Sequence, residues 1–115
     1  MALLLTDGDR NFRQALAIAL RLDGHRVAEA DSVEAARREL AGGDVRWCIV
    51  DLRLAGAAEL VGQLASDPRA SVIATTVDPD LLAATLERHP EIAALEKPFR
   101  VEDLRALLDP CSALA

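Results

Sequence analysis

Short apolar runs alternate with amphipathic stretches along the whole chain. The runs are continuously apolar or nearly so, which is typical of strands buried on both faces of a sheet. Between them, apolar residues recur every three or four positions, as from Phe12 to Leu22, and predict helices that bury one face. The second run is the most polar and is predicted to lie nearer an edge of the sheet. The predicted strands cover residues 2–6, 25–30, 47–50, 72–75 and 92–95.

Capping residues mark the predicted ends of the helices. Asp9 stands where it can cap the first helix, and Ser32 where it can cap the second. Pro79 occupies the first-turn position that proline favours in a helix, and Pro90 ends that helix. The other predicted helices cover residues 33–41, 57–65 and 101–108.

Five strands thus alternate with five helices, joined by short loops. Alternation of this kind predicts a parallel sheet with helices on both faces. Because crossovers between parallel strands are right-handed, a doubly wound α/β sheet is the natural arrangement. The chain has 115 residues and contains no linker or repeat, so we expect one domain over residues 1–109 and a tail over residues 110–115.

Composition and charge narrow the classes of function. Apolar residues make up 51% of the chain, enough for a domain of this size to bury a core. The net charge is −6 and no stretch is strongly basic, which argues against nucleic-acid binding by this domain. No apolar run is long enough to cross a membrane, and the start lacks the features of a signal peptide. These observations predict a cytoplasmic domain without membrane contact.

The cysteine and histidine residues do not form a recognisable metal or catalytic motif. Cys48 and Cys111 are far apart and give no zinc or CxxC spacing. We expect Cys48 to be a small buried apolar residue and Cys111 to be a free thiol in the tail. His25 and His89 fall at loop or helix-end positions, where a surface location is the simpler expectation.

Polar residues follow four of the predicted strands at the point where each strand ends. Because the carboxyl ends of parallel strands meet at one edge, these side chains are expected to converge there. Several carboxylates at one edge repel one another unless a cation binds them, and oxygen-rich sites of this sort suit Mg²⁺. The residues are Asp7 and Asp9 after the first strand, Asp51 after the third, Thr75 after the fourth and Lys97 after the fifth.

Each of these residues also has a simpler structural explanation when it is taken alone. Asp9 is most simply a helix cap, Thr75 a residue that favours strands, and Lys97 a solvated loop charge. Asp51 is different, because it directly follows an all-apolar strand, and a carboxylate at the mouth of a buried strand needs a partner. The residues taken together therefore indicate a functional site more specifically than any one of them does.

The motifs around these residues resemble the receiver domain of two-component response regulators, the CheY-like superfamily. The resemblance extends over essentially the whole chain. It implies a flavodoxin-like sheet with strand order 2-1-3-4-5. The matching stretches are Leu3-Leu-Leu-Thr-Asp7-Gly-Asp9, Val50-Asp51-Leu-Arg-Leu54, Ile73-Ala-Thr75-Thr and Leu95-Glu-Lys97-Pro-Phe99.

The resemblance also implies a reaction and a set of roles. Asp51 would accept a phosphoryl group from a sensor histidine kinase or a phosphotransfer protein, Lys97 would pair with a phosphoryl oxygen, and the Thr75 hydroxyl would swing to bind another. Mg²⁺ would be held by Asp7, Asp9, Asp51 and the backbone carbonyl of Arg53. The chain would be a signalling domain rather than an enzyme, with homodimerisation through the face formed by the fourth helix, fifth strand and fifth helix.

Three departures from the family pattern weaken these implications. Gly8 stands where the family usually has a second, metal-binding acidic residue, and Asp9 lies one position further on. Ala94 replaces a residue that is usually aromatic. The stretch from Asp51 to Thr75 is shorter than usual, with Ala55 where the family commonly has proline.

Two alternative functions therefore stay open at this point. The first is a pseudo-receiver that keeps the fold as an interaction or dimerisation module without phosphorylation, motivated by Gly8. The second is a small hydrolase or a nucleotide or flavin binder, since a fold alone does not fix a function. Against the second, no GxGxxG or GxxxxGK loop follows the first strand.

Overall fold

Each predicted apolar run forms a strand and each predicted amphipathic stretch forms a helix. A computed structural model of the protein describes residues 2–108. The predicted tail, with Cys111, lies outside these residues. The elements are β1 (Ala2–Thr6), α1 (Arg10–Leu22), β2 (Arg26–Ala30), α2 (Val33–Leu40), β3 (Trp47–Asp51), α3 (Ala57–Ala65), β4 (Ser71–Thr76), α4 (Pro79–Arg88), β5 (Ala93–Glu96) and α5 (Val101–Leu108).

The strands form one parallel sheet in the order β2-β1-β3-β4-β5. The predicted flavodoxin-like topology is therefore confirmed. The strand ends differ from the prediction by a residue or two. The third strand includes Asp51, because that residue pairs with Thr75 of β4, and the fifth strand begins at Ala93 and extends to Glu96.

Side chains of successive strand residues enter two different cores, one on each face of the sheet. Leu4, Cys48, Val50 and Val72 pack with residues of α2 and α3. Their strand neighbours pack with residues of α1 and α5, as the period of two along a strand requires. This second core contains Leu3, Leu5, Leu16, Ala17, Leu20, Ile49, Ile73, Leu104 and Leu108.

Polar side chains, and in one case a proline, fix the beginnings of α1, α2 and α4. The carboxylate of Asp9 accepts a hydrogen bond from the N–H of Phe12, and the hydroxyl of Ser32 accepts one from the N–H of Ala35. Asp78 caps α4 in the same way, with Pro79 in the first turn. These are the partners that the first N–H groups of a helix lack. The predicted caps at Asp9 and Ser32 are therefore confirmed.

Cys48 lies in the core between the sheet and helices α2 and α3, fully shielded from solvent. Burial in these apolar surroundings, reinforced by the carboxylate of Asp67, raises the pKa of the Cys48 thiol to about 12. A thiol with so high a pKa stays protonated and unreactive at neutral pH. The prediction that Cys48 acts as a small buried apolar residue is confirmed.

The fourth helix is held less firmly than the others. It has no buried residue, whereas each of the other four helices described within residues 2–108 buries at least two side chains. Val77, just before α4, and Leu81 within it are exposed. No helix in this part of the chain is both long and apolar enough to span a membrane.

The Thr6 hydroxyl is fully buried and has no hydrogen-bond partner among the residues described. An unpartnered buried hydroxyl loses its bonds to water without compensation. Replacing Thr6 by valine keeps nearly the same shape, and we expect it to raise the free energy of unfolding by about 1 kcal/mol in urea denaturation.

Thr76 provides a matched control for this substitution. It is equally buried, but its hydroxyl oxygen accepts a hydrogen bond from the N–H of Asp78 at 3.1 Å. Thr76→Val should therefore lower the free energy of unfolding by about 1 kcal/mol. Equal effects of the two substitutions would contradict the assignment of Thr6 as the unpartnered hydroxyl.

Candidate functional site

Two aspartates and one lysine meet at the carboxyl edge of the sheet. Asp7 follows β1, and Asp51 ends the neighbouring strand β3. Lys97 follows β5, two strands away from β3, and its long side chain reaches back across β4. The Lys97 Nζ lies 2.6 Å from Asp7 Oδ2 and 3.7 Å from Asp51 Oδ2. The predicted convergence of these three residues is therefore observed.

The two carboxylates differ in how far solvent can reach them. The Asp7 side chain is 2% exposed, and its Oδ1 accepts a hydrogen bond from the N–H of Asp9 at 2.8 Å. The Asp51 side chain is 12% exposed, and its Oδ1 accepts a hydrogen bond from the N–H of Arg53 at 3.1 Å. Each oxygen of Asp7 thus has a partner, and Asp51 is the more exposed of the two carboxylates.

The loop that carries Asp7 is held by an arginine that the sequence analysis did not single out. Arg13 donates to the backbone carbonyl of Asp7 at 2.9 Å and to the carboxylate of Glu29 at 3.1 Å. The N–H of Asp7 in turn donates to the carbonyl of Ala30 on β2. The position of Arg13 in its helix is typical of a solvated surface charge, so nothing in the sequence distinguished it from the other surface arginines.

One aromatic ring lies beside the Lys97 ammonium, and a second ring packs against the first. The Lys97 ammonium lies 4.8 Å from the centre of the Phe12 ring, at a distance suited to a cation–π contact. The Phe12 and Phe99 rings are arranged edge to face, with their centres 5.6 Å apart. The backbone also holds this segment, because the N–H of Lys97 donates to the carbonyl of Thr76 at 2.8 Å. The Lys97–Pro98 peptide bond is cis.

Thr75 lies beside Asp51, and its hydroxyl is bonded to a backbone carbonyl. The residue is paired with Asp51 across β3 and β4 and is buried. Its hydroxyl donates to the carbonyl of Val50 over 3.5 Å, which is at the outer limit for such a bond. A bond this long is weak, so the hydroxyl can be redirected at little energetic cost. Ala94, on the neighbouring strand, is paired with Ala74 and brings no ring to this place.

The structure does not bring Asp9 into this cluster. One Asp9 oxygen caps α1, and the residue is exposed. Gly8 supplies no side chain, and a Cβ atom there would lie 3.3 Å from Cδ2 of Leu54. The side chain of Leu54 therefore lies against the backbone position where the family usually has its second acidic residue.

These positions bear directly on the predicted Mg²⁺ site. Within residues 2–108, no three or more His, Cys, Asp or Glu side chains are arranged to hold a metal ion. Asp7 and Asp51 already bind Lys97 and backbone N–H groups, and the carbonyl of Arg53 is the remaining predicted ligand. The arrangement therefore does not fit a preformed magnesium site, and Asp9 as a metal ligand finds no support in it.

Trp47 lies at the opposite end of β3 from Asp51. It is the first residue of the strand, paired with Leu3 and Ser71. A strand rises roughly 3.3 Å per residue, so roughly 13 Å separate the two Cα positions. Although only four positions separate Trp47 from Asp51 in sequence, this placement makes Trp47 fluorescence a poor reporter of the site.

No family model and no curated protein sequence matches the chain. Solved structures do. A response regulator receiver protein from Pseudomonas putida is 23% identical, with 95% of each chain covered and a TM-score of 0.82. TrrA, a response regulator protein from Thermotoga maritima in complex with Mg²⁺-BeF, is 19% identical, with 95% of this chain and 96% of that chain covered and a TM-score of 0.81. A response regulator protein from Burkholderia pseudomallei, with a phosphorylated aspartic acid, calcium ion and citrate, is 24% identical, with 98% of this chain and 70% of that chain covered and a TM-score of 0.78. This chain therefore has the fold of CheY-like receiver domains.

Proposed function

We propose that this chain, which has the receiver fold, is a signal-receiving domain that accepts a phosphoryl group on Asp51. The observation that supports it most directly is the position of Asp51. It lies at the carboxyl end of a central strand, partly open to solvent, with the Lys97 ammonium 3.7 Å from one of its oxygens. Ligand sites of open α/β sheets form at this edge, where the strand order reverses.

Exposure favours Asp51 over Asp7 as the acceptor. A nucleophile must be reached by the phosphorus atom of the donor, in line with the bond that breaks. Asp7 is enclosed, with one oxygen bound to Lys97 and the other to the N–H of Asp9. The Asp51 side chain is more exposed, at 12% against 2%, and the N–H of Arg53 fixes the orientation of its carboxylate.

The proposed reaction is a transfer between a nitrogen and an oxygen atom. An oxygen of Asp51 attacks the phosphorus of a phosphohistidine on a sensor histidine kinase or a phosphotransfer protein, forming an acyl phosphate. The P–N bond breaks, and the imidazole nitrogen keeps its electron pair and takes up a proton. Lys97 stands close enough to pair with an oxygen of the transferred group and to offset its charge.

Thr75 and the face formed by α4, β5 and α5 would carry the signal onward. The weak bond between the Thr75 hydroxyl and Val50 leaves that hydroxyl free to turn toward a phosphorylated Asp51. Since α4 follows β4 closely and buries no residue, a shift there can change the packing of the helix. This face is also where we place self-association, as the sequence analysis predicted.

A phosphorylation assay tests the proposal. Incubation with acetyl phosphate or phosphoramidate should add one phosphoryl group to the protein, seen as a mass increase. Asp51→Asn should remove the modification, whereas Asp9→Asn, which keeps the helix cap, should retain it. Absence of any modification, with and without Mg²⁺, or modification that persists in Asp51→Asn, would refute Asp51 as acceptor.

A further inference from the structure

The outer face of α1 presents large apolar side chains to solvent. Leu22 is 83% exposed and Ile18 58% exposed, and Ala15 is exposed on the same side of the helix. The other large apolar residues that are exposed within residues 2–108, Val77 and Leu81, lie at α4. Single exposed apolar side chains are common, but several on one helix face mark an interaction surface.

The spacing of these residues indicates what kind of element covers them. The outer stripe of α1 consists of Asn11, Ala15, Ile18 and Leu22, which are four, three and four residues apart. That spacing aligns side chains along one line of a helix and is typical of a helix that packs against another helix. None of the four is charged, although the chain has a net charge of −6. The stripe therefore suits a helical partner.

An apolar groove of about 210 Å³ lies beside the stripe, between α1 and α5. It is lined by Phe12, Ala15, Leu16, Ala19 and Val101. The two alanines keep the groove low, whereas Ile18 and Leu22 protrude next to it. Two copies related by a twofold axis present the same surface to each other, so the protruding side chains of each can enter the groove of the other. This surface is thus complementary to itself.

The charges of the neighbouring helix favour an antiparallel pairing. Helix α5 carries Glu102 and Asp103 in its first turn and Arg105 in its last turn. The Glu102 side chain is 67% exposed and that of Arg105 43% exposed. Arg105 also pairs with Asp23 of its own chain, but a guanidinium has five N–H donors and can bind a second carboxylate. Antiparallel packing sets the acidic start of one α5 against the basic end of the other.

We propose that α1 pairs with α1 of a second copy of this chain, antiparallel and about a twofold axis, with α5 at the flank. The pairing involves neither α4 nor Asp51, so it does not depend on phosphoryl transfer. It is also distinct from the self-association that the face formed by α4, β5 and α5 would provide. A resting domain can therefore be paired before any signal reaches it.

The size of the surface sets the expected strength of the pairing. One helix of 13 residues and its flank form a small interface, so we expect a dissociation constant on the order of 100 µM. At low micromolar concentration, where unfolding is followed by circular dichroism, the chain is then monomeric. Substitutions of Leu22 should therefore leave the stability of the monomer nearly unchanged.

Sedimentation equilibrium of the full chain, without any phosphoryl donor, measures the pairing. Between about 10 µM and about 1 mM, which brackets that constant, the average mass should rise toward twice the monomer mass and not beyond it. Ile18→Gln and Leu22→Gln should each weaken the pairing about tenfold, because a polar amide replaces an aliphatic group that becomes buried. Leu81→Gln on α4 is the matched control and should leave the pairing unchanged.

Three outcomes would overturn the proposal. They are a monomer at every concentration, as expected if the stripe binds a helix of a different protein; masses beyond the dimer; and a pairing that Leu81→Gln weakens while Ile18→Gln does not. NMR spectra of the wild type at increasing concentration test the same point without a variant. We expect the amide signals of Ile18 and Leu22 to move and that of Leu81 to stay. Movement at Leu81 alone would place the contact at α4 and contradict pairing through α1.

Discussion

Replacing Lys97 by methionine should lower the free energy of unfolding by about 3 kcal/mol, because the substitution leaves a buried carboxylate without its cation. Asp7 is almost completely enclosed, and its only charged partner within hydrogen-bond distance among the residues described is Lys97 at 2.6 Å. Methionine keeps most of the length and apolar surface of the lysine side chain. The loss therefore reports the charge rather than the packing.

Urea denaturation of a double-mutant cycle measures this effect. In the Asp7→Asn/Lys97→Met variant the carboxylate is removed together with the ammonium, and we expect most of the lost stability to return. Arg105→Met is a matched control, since it breaks the ion pair with Asp23 at the surface, also at 2.6 Å. Exposed pairs contribute little, so its effect should be far smaller. Similar losses for Lys97→Met and Arg105→Met would show that the Asp7 charge is not buried in solution.

Leu104→Ala should lower the free energy of unfolding by about 3 kcal/mol through the cavity that it leaves. Leu104 is fully buried and, with Leu108, holds the eight-residue helix α5 against the sheet. The same helix follows the loop that carries Lys97, and a loss of this anchor should loosen that loop as well. Since domains of this kind are stabilised by only about 5–15 kcal/mol, the substitution removes a large share of the total.

The chain contains a matched exposed leucine at the end of α1. Leu22 is 83% exposed, and Leu22→Ala should change the free energy of unfolding by no more than about 0.5 kcal/mol. Leu104→Met, which nearly conserves volume, should cost less than about 1.5 kcal/mol. Denaturation curves followed by circular dichroism give all three values. A cost for Leu104→Ala close to that of Leu22→Ala would mean that α5 is not anchored as the structure shows.

The strands and helices could be predicted from the sequence because burial requires apolar residues to recur with the period of each kind of element. A strand covered on both faces has to be largely apolar, and β1 and β3 are apolar up to their last residues, Thr6 and Asp51. The ends were harder to predict, since hydrogen bonds rather than hydropathy decide them. Asp51 reads as the first loop residue but pairs with Thr75, and Glu96 extends β5 in the same way through its pairing with Thr76.

The edge that gathers the polar side chains could also be predicted, because it follows from topology alone. The contacts between the side chains at this edge could not be predicted from the sequence. A lysine has several rotatable bonds, and the position of its ammonium, closer to Asp7 than to Asp51, goes together with a contact to the ring of Phe12, which lies far away in the chain. The contact between Leu54 and Gly8 likewise joins the loops that follow two different strands, so no local sequence pattern predicts it.

Asp9 shows how a local preference decides between two roles that the sequence allowed. Its side chain could cap α1 or reach toward Asp51 to hold a metal ion. The cap requires only a short-range hydrogen bond to the N–H of Phe12, three residues away. Reaching toward Asp51 would leave that N–H without a partner and place a further negative charge beside two others.

The absence of any buried residue in α4 has a consequence for the mechanics of the domain. Within residues 2–108, the other four helices are fastened by side chains that would leave cavities if they withdrew, so they move only when the whole core opens. Helix α4 packs on β4 and β5 through side chains that are at most partly buried, so a shift on the sheet would leave smaller voids. We therefore expect rearrangements of this domain to be concentrated at α4, where a bound partner would favour one position of the helix over another.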